Sequence, residues 1–115
     1  MEIKKSEYCG YTIFELRGEV SDPKILSKIE KVLSKALTEG NENIAIDLHS
    51  CEYINSGLIG QFLGWKKIQD AHQKKFCLIE PNEKAMEVLA VCGITEVITI
   101  YKNEVEFMKH AAPAA

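Results

Sequence analysis

Polar and apolar positions alternate along parts of this chain and then change to a helical spacing, and the change recurs several times. Tyr11-Thr12-Ile13-Phe14-Glu15-Leu16 is dense in β-branched and aromatic residues, which predicts a strand. Residues 2–9 predict a strand before it, with a hairpin turn near Gly10, and Gly18 marks the second strand's end. Ser21-Asp22-Pro23 reads as a helix start. Serine or aspartate caps, and proline suits the first turn because its missing N–H has no partner there. Ile25, Ile29, Val32, Leu33, Ala36 and Leu37 then recur on one helical face, with Lys24, Lys28, Lys31 and Lys35 largely opposite. Gly40 supplies the stop.

Asn43-Ile44-Ala45-Ile46-Asp47-Leu48 predicts a buried strand, and a second helix follows from 56 to about 73. Residues 75–80 form a short apolar strand. Pro81-Asn82 opens a third helix, expected to turn Met86, Leu89 and Ala90 inward and to stop at Gly93. Residues 97–101 predict a strand, and Asn103 caps a last helix to about residue 110. The order ββαβαβαβα predicts an α/β fold, with a mixed sheet of about four to five strands covered by four helices. No repeat or linker divides the chain, so one domain is expected over 1–115, with a core of about 2–110 and a flexible tail over 111–115.

Composition narrows the function classes. The 115 residues suffice for one core, and 46% hydrophobic with 27% charged residues argues against extensive disorder. A net charge of -3 gives no electrostatic match to nucleic acid. The doublets Lys4-Lys5, Lys66-Lys67 and Lys74-Lys75 read as solvated element ends, or as a small patch for an acidic partner. No apolar run nears the roughly 20 residues of a spanning helix, and no apolar stretch follows the first lysines as in a signal peptide. A cytoplasmic protein without membrane insertion is expected. Cys9, Cys51, Cys77 and Cys92 make no Cys-x-x-Cys pair, so metal and redox roles are not expected. Cys77 and Cys92 read as small core residues.

The candidate chemistry lies in residues 46–58, where a buried strand leads through a loop to Asn55-Ser56 at a helix start. Either residue is a good N-cap. In the helix itself Gly57, Gly60 and Gly64 share a stripe, and each interior glycine costs about 0.5–1 kcal/mol against alanine. The stripe therefore calls for close backbone approach, by the sheet, a neighbouring helix or a partner. Leu58, Phe62 and Trp65 form a second stripe, read as core. Asp47 reads as a strand-end residue that bonds loop amides. Asp47, His49 and Ser50 are too close in sequence to make a good catalytic triad, because strand neighbours point to opposite faces. No phosphate-loop or dinucleotide pattern is present. No cofactor and no enzymatic activity are expected.

From about Gly18 to Met108 the chain resembles a stand-alone STAS domain of the anti-sigma factor antagonist type. The features that carry this are the Ile44 to Leu48 strand, the Tyr53-Ile54-Asn55-Ser56-Gly57-Leu58 turn and the glycine-bearing helix. They continue in Pro81-Asn82-Glu83-Lys84, Cys92-Gly93-Ile94 and the strand over 97–101. The resemblance implies a protein that binds a serine-kinase anti-sigma factor and so frees a sigma factor. In such proteins the kinase phosphorylates a serine or threonine just before Gly-Leu, and a serine phosphatase reverses the step. Counting back from Gly57 makes Ser56 the acceptor. Counting forward from Tyr53-Ile54 sets Asn55 at the family's acidic position and leaves the acceptor missing. The partner surface implied comprises Asp22, Asn55, Ser56, Gly57, Leu58 and Gly60. The alternatives are a STAS adaptor without a phosphoswitch, in a signalling assembly or a lipid-transport system, and a small ligand-binding or enzymatic α/β domain.

Overall fold

The chain begins with an antiparallel hairpin of β1 (Glu2–Tyr8) and β2 (Tyr11–Glu19), paired from Glu2↔Arg17 to Tyr8↔Tyr11. Cys9 and Gly10 make the turn at φ of 46° and 83°. Positive φ at both central positions matches the right-handed twist of the strands, and glycine meets it without strain. A computed structural model of the chain describes residues 2–19 and 23–112. The expected helix cap at Ser21 and Asp22 lies outside the described residues, as does most of the tail.

Helix α1 (Pro23–Glu39) buries Ile29, Leu33 and Leu37. Val32, expected on the same face, is 40% exposed, because it lies to one side of the seam that those residues define. Gly40 ends the helix at φ 62°, and a side chain there would also collide with the His72 ring at 2.5 Å. Next come β3 (Asn43–Asp47), β4 (Cys51–Tyr53), α2 (Ser56–Ala71) and β5 (Phe76–Ile79). The chain continues with α3 (Glu83–Val91), α4 (Ile94–Val97), β6 (Thr99–Tyr101) and α5 (Glu104–Ala111).

The sheet runs β1-β2-β3-β5-β6, with β4 added beside β2. Every pairing after the hairpin is parallel. The predicted mixed α/β architecture is therefore present, with two short elements that the sequence pattern does not show. β4 forms because β2 runs beyond β3 and leaves an edge on which Cys51 pairs with Gly18. Three residues, of which only Cys51 is buried, are too few for a readable alternation. α4 is a single turn after Gly93, whose φ of 76° ends α3, and it buries Ile94. Val97 is thus helical and exposed rather than part of a strand.

Some inward assignments also change. Asn82 caps α3 and fixes its phase so that Ala85 and Leu89 face inward, while Met86 and Ala90 lie toward solvent. Cys92, read as core, is exposed at the helix end. Ala111 is the last residue of α5, half-buried against the aromatic cluster there, so the tail begins later than the pattern suggested. Because strand side chains alternate, one sheet face meets α1 to α4 in a large apolar core, and the other carries a small cluster under α5 centred on Phe107.

Candidate functional site

β3 is buried along most of its length, and the chain leaves it through Leu48 into a tight turn. The Cys51 N–H returns to the Leu48 carbonyl at 3.1 Å, and the Gly18 N–H donates to the Ser50 carbonyl at 3.0 Å. Ile54, 3% exposed, pins the far end of the connection into the core. Between these anchors, the Asn82 side-chain amide donates to the Glu52 carbonyl at 3.0 Å, while its oxygen accepts from the Ala85 N–H at 2.8 Å. Asn82 therefore caps α3 and holds the β3–α2 connection with the same side chain. Sequence reading saw only the cap, since nothing local signals a contact thirty residues away.

The connection delivers Asn55 and Ser56 to the start of α2, and the structure separates their roles. Asn55 is the N-cap: its side-chain oxygen accepts from the Leu58 N–H at 2.9 Å, in extended backbone geometry. Ser56 is the first helical residue, and it is exposed. The serine is therefore not the cap, and its hydroxyl forms no hydrogen bond among the described residues. The backbone N–H groups of this first turn point outward beside it, where the helix dipole favours negative charge.

The glycine stripe divides. A Cβ on Gly57 would meet Leu26 of α1 at 2.6 Å, so α1 and α2 approach closely there. At Gly60 and Gly64 no atom of the described residues lies within 4 Å of the place a Cβ would take, so tight packing among those residues is not the reason for either. Both are exposed, so with Ser56 and Gly57 they leave a smooth strip along the outside of α2. Leu58, expected among the partner-facing residues, has a fully buried side chain that holds α2 to the sheet, as do Phe62 and Trp65. Asp22 lies outside the described residues.

A second cluster sits at the same end of the strands, on the sheet's other face. Asp47, 7% exposed, accepts from the His49 backbone N–H at 3.0 Å, the loop-amide role expected of it. It also holds the His49 ring, with Nδ1 2.8 Å from Oδ1. That hydrogen bond raises the His49 pKa; desolvation opposes it, and the charges of Asp47, Glu15 and Glu80 add to it. Glu15 joins because β2 and β3 pair in register at Glu15↔Asp47, and Arg17 bonds Glu15 at 3.0 Å. Sequence reading missed this pair, although Ile13, Glu15 and Arg17 alternate along one strand face. Ser50 accepts from the Gly18 N–H through its carbonyl, and among the described residues its hydroxyl makes no hydrogen bond to His49, so no triad assembles.

Among the described residues no group of three or more His, Cys, Asp or Glu is placed to hold a metal ion. Burial raises the Cys77 thiol to about 12 and also pushes Cys51 upward, so both resist ionisation. Lys66, Lys74 and Lys75 line one shallow cavity of about 210 Å³, where Asp70 pairs with Lys66. No described helix is long and apolar enough to cross a membrane.

Comparison with known proteins adds the family. A model described as the STAS domain matches residues 1–107. No curated protein matches the chain. Among solved structures, a putative anti-sigma factor antagonist from Thermotoga maritima superposes with a TM-score of 0.82 at 21% identity, covering 95% of this chain and 93% of that one. The anti-sigma factor antagonist SpoIIAA in its unphosphorylated form gives 0.81 at 16% identity, with 99% and 100% coverage. The Bacillus cell fate determinant SpoIIAA in the phosphorylated form gives 0.76 at 18% identity, with 96% and 100% coverage. At these identities the likeness is one of fold.

Proposed function

This chain belongs to the STAS domain family, and from that premise we propose that it is an anti-sigma factor antagonist, a protein-binding regulator switched by phosphorylation of Ser56. The partner in this reading is a serine-kinase anti-sigma factor, with a serine phosphatase to reset the switch. The nucleotide belongs to the kinase, and the chain performs no catalysis of its own. The observation that carries the reading is the placement of Ser56: exposed, first in α2, and relieved of capping by Asn55. That similar folds have been solved both with and without phosphate supports it.

The physics of the position suits a switch. A phosphoserine adds about −1.5 to −2 charges at neutral pH. At a helix N-terminus the dipole and the free N–H groups stabilise such charge by about 0.3–1 kcal/mol, so the fold tolerates it. A protein docked on the strip of Ser56, Gly57 and Gly60 meets new charge and bulk in its interface instead. Glycines with no internal packing reason fit a surface that another backbone approaches closely.

The test is incubation of the full chain with the serine-kinase anti-sigma factor of its own genome and ATP, followed by intact-mass measurement. One added phosphate is expected, abolished by Ser56→Ala, and Ser56→Asp is expected to weaken binding to the kinase. A complex that forms without phosphate transfer points to the adaptor without a phosphoswitch. Turnover of a small molecule by the isolated chain, lost on one side-chain change, points to an enzyme.

A further inference from the structure

The charge cluster on the open face of the sheet supplies none of the residues proposed to meet the kinase. Glu15 and Asp47 are register partners on adjacent strands, so their side chains stand abreast, on residues only 9% and 7% exposed. Arg17 donates to Glu15 at 3.0 Å and lies 3.5 Å from Glu2, so its charge is shared. The His49 ring completes the cluster, with Nδ1 2.8 Å from Asp47 Oδ1 and Nε2 4.0 Å from Glu15 Oε1. Lys4 of β1 and Glu104 of α5 line the same cavity, and Glu80, after β5, acts on the ring through its charge. Carboxylates thus outnumber the fixed cations, which are Arg17 and Lys4.

A neutral imidazole has one N–H to donate. With that proton on Nδ1 for Asp47, Nε2 presents a lone pair toward the carboxylate of Glu15. A second proton turns Nε2 into a donor and sets a positive charge between two carboxylates. His49 is also the first residue after Leu48, where the chain turns away from the sheet toward Ser56. Its own N–H is held by Asp47, and the next residues are tied by the Gly18–Ser50 and Cys51–Leu48 backbone bonds.

We propose that His49 is a proton-operated clasp: protonated, it ties the start of the β3–α2 connection to Glu15 and Asp47, and on losing the proton it loosens the connection that presents Ser56. The side chain is 42% exposed, so protons reach it freely and solvent weakens each contact. The folded-state pKa is raised above the ordinary value of about 6.5. The clasp is therefore fully closed below about pH 6.5 and opens as the pH rises through the raised folded value.

The test is an NMR pH titration of the full chain, following the His49 ring and the amides of Gly18 and Cys51. The ring midpoint is expected above about 6.5, falling back toward it in Asp47→Asn and by less in Glu15→Gln. Protection of the Gly18 and Cys51 amides, corrected for intrinsic exchange, is expected to drop several-fold as the pH passes the midpoint. In His49→Gln that drop disappears. A midpoint at or below the ordinary value, or the same drop in His49→Gln, overturns the clasp. If His49→Gln does not fold, the midpoints of the two carboxylate variants still decide. No kinase enters these measurements, so their failure leaves the Ser56 reading standing.

Discussion

On one face of the sheet, Phe14, Leu16, Ile44, Ile46, Leu48, Phe76 and Leu78 meet the helices α1 to α4, and each of these side chains is almost fully buried. On the other face, Tyr11, Ala45, Cys77 and Ile79 meet α5 through Phe107, and the rest of that face carries charge. Side-chain alternation builds both surfaces from the same strands. The first face holds the fold, and the fully buried Gln69 of α2 spends its side-chain amide on the Glu42 and Lys75 carbonyls, each at 3.0 Å. The second, with one short helix over it, lets water reach the His49 ring, and the nearly buried carboxylates beside it are paired with that ring and Arg17, so ionisation there does not threaten the core. The proposed switch stands where the first face ends, at the start of a helix that the core holds rigidly. A phosphate there adds charge to a fixed platform rather than to a mobile loop.

The sharpest way to break this contrast is to remove an aromatic ring from each face. Phe62→Ala should cost about 3–5 kcal/mol in urea denaturation, because Trp65 and Phe76 surround the ring and cannot collapse into the gap. Phe107→Ala should fall at or below the lower end of that range. Its neighbours Tyr8 and Tyr101 are only partly buried and have room to relax. Hydrogen exchange should show α5 released in that variant while α1 and α2 stay protected. Equal losses of protection everywhere would mean that the two faces form one core.

Smaller changes sharpen the platform's role. Asn55→Ala should destabilise by about 1 kcal/mol, read as a lower urea midpoint, since the Leu58 N–H loses its acceptor. Ser56→Asp should shift stability by less than about 1 kcal/mol while weakening the kinase complex at least about tenfold, measured by calorimetry. A tenfold loss of affinity with no loss of fold is what separates the switch from a structural role. The smallest effect is a gain: Gly60→Ala should stabilise by about 0.5–1 kcal/mol in the isolated chain, because its Cβ meets open space in a helix interior. If thermal denaturation shows a loss instead, the outer strip of α2 is not free.

Most of the architecture was legible because it rests on local patterns. The hairpin at Gly10, the seam of Ile29, Leu33 and Leu37, the buried β3 and the stops at Gly40 and Gly93 each leave a signal within a few residues. Errors arose where a helix's phase depends on its cap, as with Met86 and Ala90, or where an element exists only because another leaves an edge open, as with β4. The resemblance to the STAS family was also carried by local order along the chain, and the family match bears it out.

What the sequence alone determined is thus the alternation of strands and helices, the family, and the presence of Asn55-Ser56 at a helix start. Only the tertiary structure decided which of those two residues caps and which stands free. It likewise decided that Gly60 and Gly64 face open space, and that Glu15, Asp47 and His49 meet. The physical reason is range. Propensity and periodicity act over a turn or two of chain, whereas a register pairing of β2 with β3 brings together side chains more than thirty positions apart, whose meeting no local pattern encodes.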